Sequence, residues 1–168
     1  MKRRIAGTFT GGCQCGAVRY SATERLDDAH ICHCRMCQKA VGGFFAALVG
    51  LPNDAFTWTR GSPSMFLSSD TTERGFCPNC GTSLFCRYIG DDYADINIAT
   101  LDDPDAVAPR HQFGNESRVA YFDVLHVLPG RETTTESSIP ELAQTIAASN
   151  HQHPDEDSQD WKPRPKEP

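Results

Sequence analysis

Eight cysteines in 168 residues, a hydrophobic fraction of 39% and a formal net charge of −6 define the problem this chain sets. A chain of this length buries a core of its own, so the cysteines are not needed in place of one. The balance of 22 acidic against 16 basic residues, with one short basic cluster at Lys2-Arg3-Arg4, argues against a nucleic-acid partner. Met1 to Thr8 lacks the apolar stretch of a secretory signal, and no run of about 18 apolar residues follows. The expectation is a cytoplasmic protein without a membrane partner, in which reduced thiols serve metal binding or catalysis rather than disulfides. Oligomeric state is left open by these features.

In chain order, Gly11-Gly12-Cys13-Gln14-Cys15-Gly16 leads into a β-prone segment at Ala17 to Ala22. Residues i and i+2 of an extended chain point the same way, so Cys13 and Cys15 can address one ion, with glycines around them to leave room for it. Cys32-His33-Cys34-Arg35-Met36-Cys37 then supplies three thiols from six consecutive residues. Short β-prone stretches follow at Phe44 to Val49, Phe56 to Thr59 and Met65 to Ser68, separated by Leu51-Pro52-Asn53-Asp54 and Arg60-Gly61-Ser62-Pro63. Cys77-Pro78-Asn79-Cys80-Gly81 is a zinc knuckle by its chemistry: two residues between thiols and a following Gly let both sulfurs reach one tetrahedral ion. Alternation through Ser83 to Tyr88 marks Cys86 as a small buried hydrophobe rather than a ligand. Ala94 to Ala99 alternates as a half-buried strand does, and Val119 to Val127 is β-prone.

Many short strands predict a mainly β fold over residues 1–130. The composition changes at Gly130: residues 131–168 form an acidic tail holding Pro140, Pro154, Pro163, Pro165 and Pro168. A helix is predicted there over about 139–149, where Pro140 and Glu141 suit a first turn and Leu142 and Ile146 lie i, i+4. The remainder of the tail is expected to be disordered, since it has few apolar residues to offset the entropy of ordering.

The knuckle provides two ligands and a closed site needs four, so Cys77 and Cys80 are matched with Cys13 and Cys15. Cys32, Cys34 and Cys37 are left with three ligands and an open position, the arrangement of a catalytic zinc. The alternative is a second closed site completed by His30, His33 or His111, although His33 would project away from an ion held by its two cysteine neighbours.

These residues closely resemble the glutathione-dependent formaldehyde-activating family, also called the centromere protein V domain. The resemblance lies in Gly11 to Tyr20, in Cys32 to Lys39 with Gly42 and Gly43, and in Arg74-Gly75-Phe76-Cys77-Pro78-Asn79-Cys80-Gly81-Thr82-Ser83-Leu84. It covers about Gly7 to Pro129 and implies a β-tent, a zinc-bound scaffold of short antiparallel strands. It also implies two zinc ions, structural on Cys13, Cys15, Cys77 and Cys80, catalytic on Cys32, Cys34 and Cys37. The implied activity is that of a carbon–sulfur lyase, the addition of glutathione to formaldehyde to give S-(hydroxymethyl)glutathione. Zinc would ionise the glutathione thiol for attack on the aldehyde carbon. Arg35 and Lys39, with Arg74 and Arg19 behind them, are candidates for the substrate carboxylates, and Gly42-Gly43 for close approach of the tripeptide backbone. The competing expectations are a non-catalytic zinc scaffold that recruits a protein, and a different zinc lyase or hydrolase.

Overall fold

Short β-prone segments closed by Gly, Pro, Asn or Asp become strands, some buried on both faces, as at Ala46–Pro52 and Tyr93–Asn97, with their polar punctuation left in the turns. The computed structural model describes residues 2–132, 138–158 and 160–162. Strands β1 (Arg4–Gly12), β2 (Arg19–Leu26) and β5 (Phe56–Arg60) form an antiparallel sheet with β2 central. A seven-stranded sheet runs in the order β10 (His111–Phe113), β3 (His30–Cys32), β4 (Ala46–Pro52), β9 (Tyr93–Asn97), β8 (Ser83–Tyr88), β7 (Thr72–Phe76) and β6 (Ser64–Ser69). Its neighbours are antiparallel except β10 with β3, which run parallel.

Register sorts the two faces of the large sheet. Gly75 lies opposite Phe85, Phe85 opposite Ile96 and Ile96 opposite Val49. That row belongs to the main core, where the small sheet adds the buried Tyr20 and the partly buried Trp58, its ring 5.8 Å from Phe85. Gly75 has to be small, since any Cβ there would run into the Phe85 ring. One residue along each strand the side chains reverse. Phe66, Arg74, Cys86, Asp95 and Gly50 are then paired across β6, β7, β8, β9 and β4 on the opposite face. Helix α1 (Arg35–Val41) packs on this second face, where Cys37 clusters with Ala46, Leu48 and Cys86.

Two segments depart from the sequence expectation. Val119 to Val127 contains no strand; Phe122–Val127 is a 3-10 helix. Val119, Phe122 and Leu125 are its partly buried positions. That spacing of three suits a 3-10 helix rather than a pleat. Phe122 turns inward onto His33 and Phe45, at ring distances of 4.8 and 5.7 Å. The second departure is in the tail. Helix α2 (Pro140–Ser149) forms as its signals predict, but Leu142 and Ile146 are exposed and Ala143 is its buried residue.

Beyond Asn150 the described tail is not free chain. His153 is 3% exposed, its N–H donates to the Gln14 carbonyl at 2.7 Å, and Asp157 pairs with Arg19 at 2.7 Å. A few polar anchors and one aromatic ring therefore substitute for the apolar area the segment lacks. Pro163, Pro165 and Pro168 lie outside the described residues. No helix among the described residues is long and apolar enough to cross a membrane.

Candidate metal centres and cavity

Cys13 and Cys15 leave β1 on a turn closed by Gly16, which adopts φ +72. Cys77 and Cys80 sit on the turn between β7 and β8, closed by Gly81 at φ +77. The two turns bring four sulfurs within 4.8 Å of one another. The Cys13 and Cys15 sulfurs are 3.7 Å apart and those of Cys15 and Cys77 are 3.9 Å apart. A tetrahedron of sulfurs at about 2.3 Å from zinc has edges of about 3.8 Å, so the spacing fits that ion. Backbone N–H groups of Val18 and Asn79 donate to Cys13 and Cys77 at 3.3 and 3.4 Å. Burial opposes ionisation of Cys80, but hydrogen bonds from Thr82 and Cys15 bring its thiol down to about 6. Burial pushes Cys13 up.

The sulfurs of Cys32, Cys34 and Cys37 form a second group within 4.8 Å of one another. Cys32 ends β3, Cys34 caps α1 and Cys37 lies within that helix, so one strand-to-helix turn presents all three. The Cys37 N–H donates to the Cys34 sulfur at 3.4 Å. Hydrogen bonding with Cys32 and then the Arg74 guanidinium lower the Cys37 thiol to about 5, and Cys32 is pushed up in consequence. Among the described residues no His, Asp or Glu joins either group within the same distance. His33 is fully buried elsewhere: its Nε2 lies 3.0 Å from Gln112 Oε1 and its ring meets Phe45 and Phe122. His30 and His111 face each other across β3 and β10. Cys86 lies beside the three thiols without joining them, and burial, with Asp95 adding to it, pushes its thiol up to about 12.

The three-thiol turn is held from a distance in sequence. Gln38 is buried and donates to the His33 and Ser117 carbonyls at 2.6 and 2.9 Å, while the His33 N–H donates to Phe113. Gly114, at φ +68, approaches so closely that a Cβ would stand 2.7 Å from the Cys34 nitrogen.

The proposed substrate-contacting residues separate. Arg35 and Lys39 are exposed on α1, and Arg35 is tied to Gln38. Gly42 ends α1 in the left-handed conformation at φ 65. Arg74 is buried, with its Nη2 donating to Cys37 Sγ at 3.5 Å and its Nε to Ser68 Oγ at 3.1 Å. Arg19 is committed to Asp102 at 2.6 and 2.8 Å. A cavity of about 520 Å³ opens between the end of α1 and the four-thiol turn. Gly43, Phe45 and Ala46 line one side of it, and Cys80, Thr82 and Asn97 are on the other. Of the candidates named from sequence, Gly43 and Cys80 reach it. Gln14, Thr82, Ser83, Asn97 and Thr100 supply its polar side chains; Gln14, Thr82 and Ser83 lie in the motifs that carry the family resemblance, whereas Asn97 carries no such signal.

Comparison with known proteins agrees with this geometry. The family model described as glutathione-dependent formaldehyde-activating enzyme matches residues 8–117. A Phaeosphaeria nodorum protein named for the same family is 30% identical over 90 residues, covering 49% of this chain and 47% of that protein. A Schizosaccharomyces pombe protein named as an uncharacterized lyase is 29% identical over 80 residues, covering 48% of this chain and 58% of that protein. The chain thus spans about half the length of these curated relatives. A crystal structure of a Rhodobacter sphaeroides protein shares the fold, with TM-score 0.51 and 23% identity over 61% of this chain and 98% of that one. With a family model matched over most of its length and two thiol groups spaced for metal, this chain belongs to the glutathione-dependent formaldehyde-activating family.

Proposed function

We propose that the protein is a zinc-dependent enzyme of carbon–sulfur bond chemistry that joins the glutathione thiol to formaldehyde or a related small electrophile. The observation that carries this reading is the three-thiol group of Cys32, Cys34 and Cys37, which has no fourth protein ligand among the described residues and sits on the turn from β3 into α1, the helix whose C-terminal end borders the cavity. A zinc ion held by Cys32, Cys34 and Cys37 would supply a Lewis acid able to lower the pKa of a thiol brought to it. The chain's own residues would bind and orient. Thr82, Ser83 and Asn97 offer hydroxyl and amide groups to a peptide backbone, and Gly43 permits its close approach. Arg35 and Lys39, exposed on the same helix, would meet substrate carboxylates at the rim.

The test is formation of S-(hydroxymethyl)glutathione from glutathione and formaldehyde, followed by exchange NMR on the zinc-loaded chain. Wild type should accelerate the exchange, and Cys34→Ala should reduce it to the uncatalysed rate. Equal rates for both would end the proposal.

One observation favours a second reading. The described residues lining the cavity include no Arg, Lys, His, Asp or Glu. That lining suits a less charged thiol or electrophile than a tripeptide bearing two carboxylates, within the same zinc lyase chemistry. Titration calorimetry with glutathione and with a neutral thiol of similar size separates the two.

A further inference from the structure

Arg74 was expected at a substrate carboxylate, but its position gives it another partner. It lies on β7, directly paired with Cys86 on β8, which is paired with Asp95 on β9. Asp95, the carboxylate in that row, is thus two strand spacings away, about 10 Å. None of the carboxylate ion pairs among the described residues includes Arg74. Yet its guanidinium is withdrawn from water, the residue being 7% exposed. A buried cation left without an anion is strongly disfavoured, so its charge must be compensated nearby. The group in contact is Cys37, which accepts from Nη2 at 3.5 Å, while Ser68 fixes the other edge of the fork through Nε at 3.1 Å.

We infer that Arg74 is a positioning residue of the three-thiol group, whose buried guanidinium offsets the negative charge that Cys32, Cys34 and Cys37 place around a divalent ion. Metal ligands bind as thiolates. Three of them exceed the charge of a divalent ion by one unit, and the guanidinium removes that excess. Without it the ensemble would repel an anionic fourth ligand; with it the open position can accept one. The four-thiol group provides the contrast. The donors given to its sulfurs include the Val18 and Asn79 N–H groups and the Thr82 hydroxyl, all neutral, and a closed site has no further ligand to admit. The cation therefore accompanies the group with the open position. A planar fork that donates to sulfur with one arm and to a serine with the other is held in a way lysine cannot reproduce in full.

This inference rests on the proposed function only in assuming metal at Cys32, Cys34 and Cys37; it does not require glutathione as the substrate. The experiment compares the full chain with Arg74→Gln, Arg74→Lys and Ser68→Ala. Each is loaded with cobalt(II) alone and then challenged with a chromophoric chelator. Wild type should bind two ions in two affinity classes. Arg74→Gln should weaken the lower-affinity class by roughly ten- to a hundredfold, the range for loss of a group that orients a metal ligand. It should also shift the sulfur-to-cobalt charge-transfer band and leave the tighter class unchanged. Arg74→Lys should recover part of both effects. Wild-type affinity and an unshifted band in Arg74→Gln would overturn the inference, as would equal impairment in the Gln and Lys variants, which would reduce Arg74 to a space-filling role.

If Arg74→Gln also loses the tighter ion, the fold has failed and Ser68→Ala decides. Weakened binding of the second ion alone supports the inference, and unchanged binding overturns it. Turnover is scored separately. A chain that shows the Arg74 effect on metal but does not add glutathione to formaldehyde loses the proposed function and keeps the inference; the reverse result does the opposite.

Discussion

Trp161 donates its indole N–H to the carbonyl of Cys15 at 3.0 Å, fastening the far end of the chain to the four-thiol turn. The same turn is covered by His153, and a Cβ on Gly16 would collide with both rings. Removing residues 151–168 should therefore lower stability by about 1–2 kcal/mol, the net of several hydrogen bonds and one partly buried ring against the entropy of ordering the segment. It should also hasten zinc release from the four-thiol site, followed by the absorbance of a zinc-binding dye. Gly16→Ala should cost at least as much, because it combines the collision with a left-handed φ of 72. Unchanged zinc release in the truncated chain would show that the strap does not shield the site.

The tail's ionic anchor is graded by burial. Arg19, 2% exposed, holds Asp102 through two hydrogen bonds and also reaches Asp157, whose side chain is 53% exposed. Asp102→Asn leaves a buried guanidinium short of its main partner and should cost on the order of 3 kcal/mol by urea unfolding. Asp157→Asn should cost about 0.5 kcal/mol. Burial raises the Asp102 carboxyl, but Arg19 holds it below the usual carboxylate range. A carboxyl lowered on folding contributes stability above its unfolded pKa and loses it as the pH falls through the folded value. Asp102 thus adds to acid sensitivity below about pH 4.

Asp95 behaves in the opposite sense. It is 7% exposed, its Oδ1 has no hydrogen-bond partner among the described residues, and burial raises its carboxyl to about 6 despite the opposing charge of His30. The folded state then holds the proton more tightly than the unfolded chain. This group's contribution falls as the pH rises from about 4 to 6 and stays constant above. Asp95→Asn keeps the shape without the charge, and should stabilise the protein at pH 7 by about 1–3 kcal/mol. The variant's advantage over wild type, measured by thermal unfolding across pH 4–8, should shrink toward acid. A constant difference would remove the account.

The two thiol groups should respond differently to loss of a ligand. Cys13→Ser removes one of the four thiols that join two turns; a zinc ion held there would contribute on the order of 10 kcal/mol, so the chain should fail to fold. Cys34→Ser keeps an acceptor for the Cys37 N–H at the start of α1. It should preserve the circular dichroism spectrum while reducing zinc from two ions to one by atomic absorption. Loss of fold in Cys34→Ser would make the three-thiol group structural.

The three cysteine motifs were legible in the chain because spacing decides which neighbouring sulfurs can share an ion, and the need of a closed site for four ligands matched two of them. Cys-x-Cys on extended backbone and Cys-x-x-Cys on a tight turn orient their thiols locally; the strand at Ala94 was visible through its alternation, and those at Phe56 and Met65 through their β-prone composition. Helix α2 could be read from Pro140 and Glu141, which act within one turn. What the chain could not disclose lay in pairings far apart along it. The role of Arg74 depends on the β7–β8 register that turns it toward Cys37, and the hold on the three-thiol turn depends on Gln38 reaching Ser117. Val119 to Val127 had the composition of a strand, but Phe122 found an aromatic pocket instead of a neighbouring backbone. The tail was polar enough to read as free chain, yet Arg19, Arg60 and the Cys15 carbonyl provide partners for Asp157, Ser158 and Trp161. Local spacing thus determined the cysteine motifs and several of the elements. Only the assembled sheets could decide which charge faces which sulfur, because that depends on register between strands distant in sequence.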